Sequence, residues 1–146
     1  MKTIRLVFLA VLAGALLSTG RAAGANVHAI LVIASNQRGA SDARLAPYEP
    51  TLRRILRFES YRVGGEGASA VAVPGKSSIA LGGGQVLEIE TERSDGSGLR
   101  VRVRWVGGGQ VLMNTGLVLR SGVPAVLGGP PSGDKGDVSA VIIVVE

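Results

Sequence analysis

From Gly64 to the C terminus the chain rarely runs far before it meets a glycine, and this spacing constrains the fold more than any other feature. The β-like runs are residues 70–73, 78–81, 86–91, 99–106, 111–119, 124–127 and 138–145, with glycines standing singly, in pairs and in triplets between them. Short strands separated by tight turn signals point to packed antiparallel sheets, either a sandwich or a barrel-like pair. Two runs differ in kind. Residues 27–34 (VHAILVIA) and 138–145 (VSAVIIVV) are apolar at consecutive positions and rich in β-branched side chains. A strand of that composition is buried on both faces. Both are expected to be central strands, and the two ends of the domain are expected to pair.

One helix interrupts the β pattern. Pro47 and Pro50 introduce it, and it extends from residue 49 to 58 at most. Leu52, Ile55 and Leu56 fall on one side, with Arg53, Arg54 and Arg57 on the other. Residues 58–63 then alternate, and that strand is expected to stop at Gly64-Gly65. The fold class is α+β: a mainly antiparallel β, sandwich-like domain with one N-terminal amphipathic helix.

One hairpin can be placed in register. Glu88, Glu90 and Glu92 alternate with Ile89 and Thr91, while Arg100, Arg102 and Arg104 alternate with Val101, Val103 and Trp105. The turn signal Ser94-Asp95-Gly96-Ser97-Gly98 lies between them. Directly opposed residues of an antiparallel pair share a face. Setting Glu92 against Arg100, Glu90 against Arg102 and Glu88 against Arg104 also sets Ile89 against Val103 and Leu87 against Trp105. This register requires a loop of three or five residues. A slip by one residue would turn charges toward the core.

The first residues read MKTIRLVFLAVLAGALLSTGRAAGAN. Lys2 and Arg5 precede an apolar run at 7–17, and Ala23-Gly24-Ala25 supplies the small residues of a cleavage site. This is the pattern of a secretory signal peptide over residues 1–25, cut after Ala25. The apolar run falls short of the ~20 residues of a membrane span. Residues 26–146 then form a single β-rich domain, secreted or periplasmic, with no stable membrane span after cleavage. The chain has no cysteine, which removes disulfides, thiol chemistry and zinc–cysteine sites. Its formal charge of +5 is largely borrowed from the leader. Without Lys2, Arg5 and Arg21 there remain 13 basic and 11 acidic side chains, a net charge of +2. That balance, with only Tyr48, Phe58, Tyr61 and Trp105 as aromatic residues beyond the leader, argues against nucleic acid as a partner.

Several stretches suggest chemistry and then fail its requirements. Gly75-Lys76-Ser77 ends like a phosphate-binding loop, but the leading glycine is replaced by Ala70 and the next residues read as strand and glycine turn. Without a following helix there is no fan of amides for a phosphate. A second near match, Gly128 to Lys135, has Asp134 inserted before the lysine. The stripe Arg100, Arg102 and Arg104 reads as one half of the glutamate ladder rather than an anion surface. His28, the only histidine, sits in an apolar run without a neighbouring acid and reads as a partly buried or edge residue. The acidic loops Asp134-Lys135-Gly136-Asp137 and Asp95-Gly96-Ser97 carry too few oxygen ligands for calcium.

Three segments, LRRILRFESYRV, VHAILVIASN and LVLRSGVPAVLGGP, together resemble small uncharacterised secreted bacterial proteins built as a strand, a helix and a β-rich remainder. Residues 119–145, in which a glycine, a short β run and Gly128-Gly129 precede an apolar final strand, resemble a local piece of outer-membrane secretins. The first resemblance implies no known activity. The second implies an association with envelope assemblies and carries over no functional residue.

The expectation is therefore a non-catalytic secreted or periplasmic module, not an enzyme, acting by protein–protein contact. It would be accessory to a cell-envelope export or surface assembly, with another envelope or secreted protein as partner and with no cofactor, metal or catalytic residue. The competing expectation is a small ligand-binding protein or hydrolase whose site joins the scattered polar residues Asp42, Asp134 and His28. A cleft uniting those three would favour the latter. A flat exposed edge strand or apolar patch would favour the former, because such edges invite strand addition.

Overall fold

The structure, a computed structural model, describes residues 24–132 and 136–146. The expected leader, apart from Gly24 and Ala25, and the loop residues Asp134 and Lys135 lie outside the described residues. In chain order the elements are β1 (Gly24–Ser35), a 3-10 turn (Ala43–Leu45), α1 (Glu49–Leu56), β2 (Ser60–Ala72), β3 (Gly75–Gly82), β4 (Gln85–Asp95), β5 (Gly98–Gly107), β6 (Gln110–Leu119), β7 (Ala125–Pro131) and β8 (Val138–Val145). They form two four-stranded antiparallel sheets, ordered β2-β1-β8-β7 and β3-β4-β5-β6. The second is a simple meander. In the first, β1 and β8 meet at the centre, with Val27 opposite Val145 and Ala34 opposite Val138. Gly24 and Ala25 belong to β1, opposite Ala72 and Val71.

The consecutive apolar residues of β1 and β8 follow from their position between two layers. Val27, Ala29 and Leu31, with Val141, Ile143 and Val145, face the second sheet and pack with Leu87, Ile89, Val101, Val103 and Trp105. Ile30, Val32 and Ala34, with Ala140, Ile142 and Val144, face the other way and pack with Leu45, Leu52 and Tyr61. The order is helix, sheet, sheet. Strands β4 and β5 are covered on one face only, so they alternate.

Three expectations need correction. The helix ends at Leu56, within its expected bound and with Arg57 left-handed (φ 53°) as its C-cap, but Ile55, expected on its apolar side, is 49% exposed. On a helix Leu56 lies about 40° to one side of Leu52 and Ile55 about 60° to the other. The eight-residue helix turns toward Leu56, which packs on the helix-side core. Second, Gly64-Gly65 does not end a strand, since β2 runs unbroken to Ala72. Gly64 is the extra residue at a bulge opposite Leu31 and Val32. Gly65 and Gly67 instead allow β3 to come close. A Cβ on Gly65 would overlap the Leu81 carbonyl oxygen, and one on Gly67 would lie 2.6 Å from Ile79 Cγ2.

The third correction concerns the β4–β5 hairpin. Leu87–Trp105, Glu88–Arg104, Ile89–Val103 and Glu90–Arg102 are opposed as the alternation predicts. The turn, however, is the two residues Gly96-Ser97, and the register shifts between Thr91 and Arg93. Arg93, not Glu92, stands opposite Arg100. Two-residue turns fit the twist of hairpins best. The bulge at Glu92 absorbs the parity that such a turn would otherwise impose on Thr91, Ile89 and Leu87, which stay inward.

Candidate functional site

Gly75, Lys76 and Ser77 open β3, and the strand continues to Gly82, so a strand rather than a helix follows the motif. Lys76 stands in register with Glu90 on the outer face of the second sheet. The second glycine-rich near match lies in β7 as far as Pro131. Asp95 serves its own turn by accepting a hydrogen bond of 2.8 Å from the Ser97 backbone N–H. Asp137 is buried, with Arg62 3.8 Å from its carboxylate. Among the described residues no group of three His, Asp or Glu side chains is placed to hold a metal ion.

His28 has an acidic neighbour that its sequence surroundings do not show. It points from β1 onto the helix-side face, and its Nε2 lies 3.4 Å from Glu66 Oε2 on β2. The other Glu66 oxygen lies 3.5 Å from Arg44 Nη1, and Arg44 Nη2 donates to Asp42 Oδ2 at 2.9 Å. Asp42 and His28 are thus linked through a solvent-open chain of four side chains, while Asp134 is not among the described residues. None of these four side chains is a hydroxyl, thiol or amine.

Asp42 also caps the 3-10 turn by accepting from the Arg44 backbone N–H at 3.0 Å. The Arg44 guanidinium hydrogen bonds, and then this backbone bond, hold the Asp42 carboxyl below the usual carboxylate range. The same side-chain bond raises Arg44. A carboxyl lowered in the folded state adds stability above its unfolded pKa of about 3.9 and loses it as the pH falls through the lower folded value. Asp42→Asn is therefore expected to be less stable than the parent at pH 7, by a small margin because the pair is open to water. The two should converge as the medium is acidified. Urea unfolding from pH 7 down to pH 2 checks this. A gap that stays constant in acid would show that the ionised carboxylate is not its source.

The outer face of the second sheet is the more extensive feature. Across it run two rows of opposed residues, Lys76–Glu90–Arg102–Gly116 and Ser78–Glu88–Arg104–Asn114. All of them except Gly116 line a hollow of about 520 Å³ that spans all four strands. Arg104 closes on Glu88 at 3.4 Å. Glu90 and Arg102 are in register but form no ion pair within 4.0 Å. Beside this hollow a second one, of about 310 Å³, is floored by Gly116 and flanked by Glu92, Arg100, Arg102 and Val118.

Both hollows reach β6, the outermost strand of that sheet. Among the described residues β6 pairs with β5 alone. Its ten residues, QVLMNTGLVL, include no charge and no proline. Val111 and Val118 are 48% and 46% exposed. β6 has one register shift, at Leu112, and is regular from Met113 to Leu119. The other sheet borders differ. β7 contains Gly-Gly-Pro-Pro and a shift between Gly128 and Pro131, while β2 and β3 lie against each other at the sandwich corner. The uncharged run 111–119 was visible as a strand in the sequence, but nothing local marks a strand as an edge.

No protein-family profile matches the chain, and neither a curated protein nor a solved structure is significantly similar to it.

Proposed function

We propose that this chain is a non-catalytic, secreted or periplasmic module that acts by protein–protein contact, accessory to a cell-envelope export or surface assembly, and that it takes its partner by strand addition at β6. The observation that carries the reading is the β6 edge. A long edge strand presents a row of unpaired N–H and C=O groups, and proteins ordinarily blunt such edges with lysine, proline or a bulge. Here the outer residues from Asn114 to Leu119 have none of these. An extended segment laid along β6 would pair its backbone and continue the sheet. The leader pattern supports the location, and no helix among the described residues is long and apolar enough to cross a membrane.

The linkage of His28 to Asp42 favours the second reading, a small ligand-binding protein or hydrolase. Loss of an activity in His28→Ala, with the fold intact, would establish it.

The deciding experiment is a pull-down from gently solubilised envelopes of the native host with the tagged protein and with Val111→Lys/Val118→Lys. Both valines are exposed, so the double variant is expected to fold with little change in stability. One dominant partner, recovered at least tenfold less by the variant, is the expected result. A partner recovered equally by both proteins, or none with the protein monomeric, would overturn strand addition at β6.

A further inference from the structure

We infer that the segment added to β6 carries a carboxylate side chain, aspartate or glutamate, at the position opposite Gly116. The inference rests on the strand-addition reading above and names the chemistry of the partner. Along the row through Gly116 the outward side chains alternate in charge: Lys76, then Glu90, then Arg102. The next position is Gly116, which has no side chain. A Cβ there would meet only the Val101 carbonyl oxygen, at 3.9 Å, so packing does not demand glycine. Its φ is not positive either, so no turn demands it.

The charges on this face do not balance. Three cations, Lys76, Arg102 and Arg104, share the larger hollow with two carboxylates, Glu88 and Glu90. Arg104 closes on Glu88, and Glu90 lies between Lys76 and Arg102. Arg100, Arg102 and Arg104 all lie on β5, next to β6, while Glu88, Glu90 and Glu92 lie one strand further in on β4, so the side of the face beside the β6 edge is the positive one. Arg100 continues this side into the second hollow, where Glu92 stands with it and with Arg102 and leaves one positive charge over.

Neighbouring strands are about 4.8 Å apart, so a residue added opposite Gly116 would stand about 10 Å from Arg102 across the strands. An arginine can cover much of that distance by lying over a residue with no side chain, and a carboxylate reaching back would complete it. A lysine or arginine at the same position would extend the run of positive charge. Opposed like charges in adjacent strands are destabilising, and opposite charges select register. Gly116 is thus the gap through which Arg102 reads the partner. The next outward position, Val118, favours an apolar side chain opposite it.

The test is selection of a phage-displayed library of random 12-residue peptides on the purified protein, repeated on Arg102→Glu and on Val111→Lys/Val118→Lys. Arg102→Gln, which puts no carboxylate beside Glu90, serves as a milder variant if Arg102→Glu unfolds. The expected result is a family of alternating peptides with one acidic position. Their binding should vanish in the double-lysine variant and weaken at least tenfold in Arg102→Glu or Arg102→Gln. Selection on Arg102→Glu should enrich lysine or arginine at the same position. Peptides that depend on β6 but show no acidic preference and no response at Arg102 would overturn the inference and leave strand addition standing. A dimer in light scattering, abolished by the double-lysine variant, would make the occupant a second copy of β6, which has no acid, and would overturn it too. Peptides indifferent to the β6 variant would overturn both readings.

Discussion

Trp105→Ala is expected to lower stability by about 3–5 kcal/mol, the range for truncating a fully buried large aromatic side chain. Trp105 is wholly buried in β5, and its ring reaches out of the second sheet to lie against Gly129 in β7 of the first. A Cβ on Gly129 would overlap that ring and stand 3.1 Å from the Ser139 carbonyl oxygen. The indole N–H donates to Gln85 Oε1 at 2.8 Å, which satisfies the one polar atom that burial would otherwise penalise. Truncation would remove the group that bridges the sheets and leave Gln85 without its donor. Since domains are stable by only about 5–15 kcal/mol, the variant should unfold at much lower denaturant. Guanidinium unfolding followed by far-ultraviolet circular dichroism measures it, because the single tryptophan is lost with the mutation. A cost below about 1 kcal/mol would show that the ring does not join the sheets.

Gly65→Ala is expected to destabilise by about 3 kcal/mol or more, at the upper end of overpacking or beyond it. The added methyl would occupy the place of the Leu81 carbonyl oxygen and lie 2.7 Å from its carbon. Backbone cannot swing aside as a long side chain can, so β2 and β3 would have to separate at the sandwich corner. Gly116→Ala is the internal comparison. Its nearest neighbour would be 3.9 Å away, and its stability should stay within about 0.5 kcal/mol of the parent. Melting curves of the two variants check the contrast, and equal losses would refute the close-approach account of Gly65.

Much of the β architecture could be read locally. The alternation of charge and apolar residues in 86–91 and 99–106 placed Leu87 opposite Trp105 and Glu90 opposite Arg102, because one slipped residue would have exposed the core. The consecutive apolar residues of 27–34 and 138–145 placed the first and last strands of the domain centrally, because only a strand covered on two faces tolerates them. Where reading failed, a distant contact decided. Gly64-Gly65 resembled a turn and proved to be a bulge and a close approach. Ile55 fitted the helix stripe, but the sheet beneath took Leu56 instead.

The candidate site divides in the same way. The sequence by itself determined where the strands run, which of their faces are apolar and which charges share the outer face of β4 and β5. All of these depend on periodicity within a few residues. Only the tertiary structure decided that β6 ends its sheet among the described residues, that Gly116 continues the row of Arg102, and that Glu66 and Arg44 join His28 to Asp42. Each of these depends on which strand arrives alongside. That is settled by burial of the whole core, between residues far apart in the chain, and no local pattern encodes it.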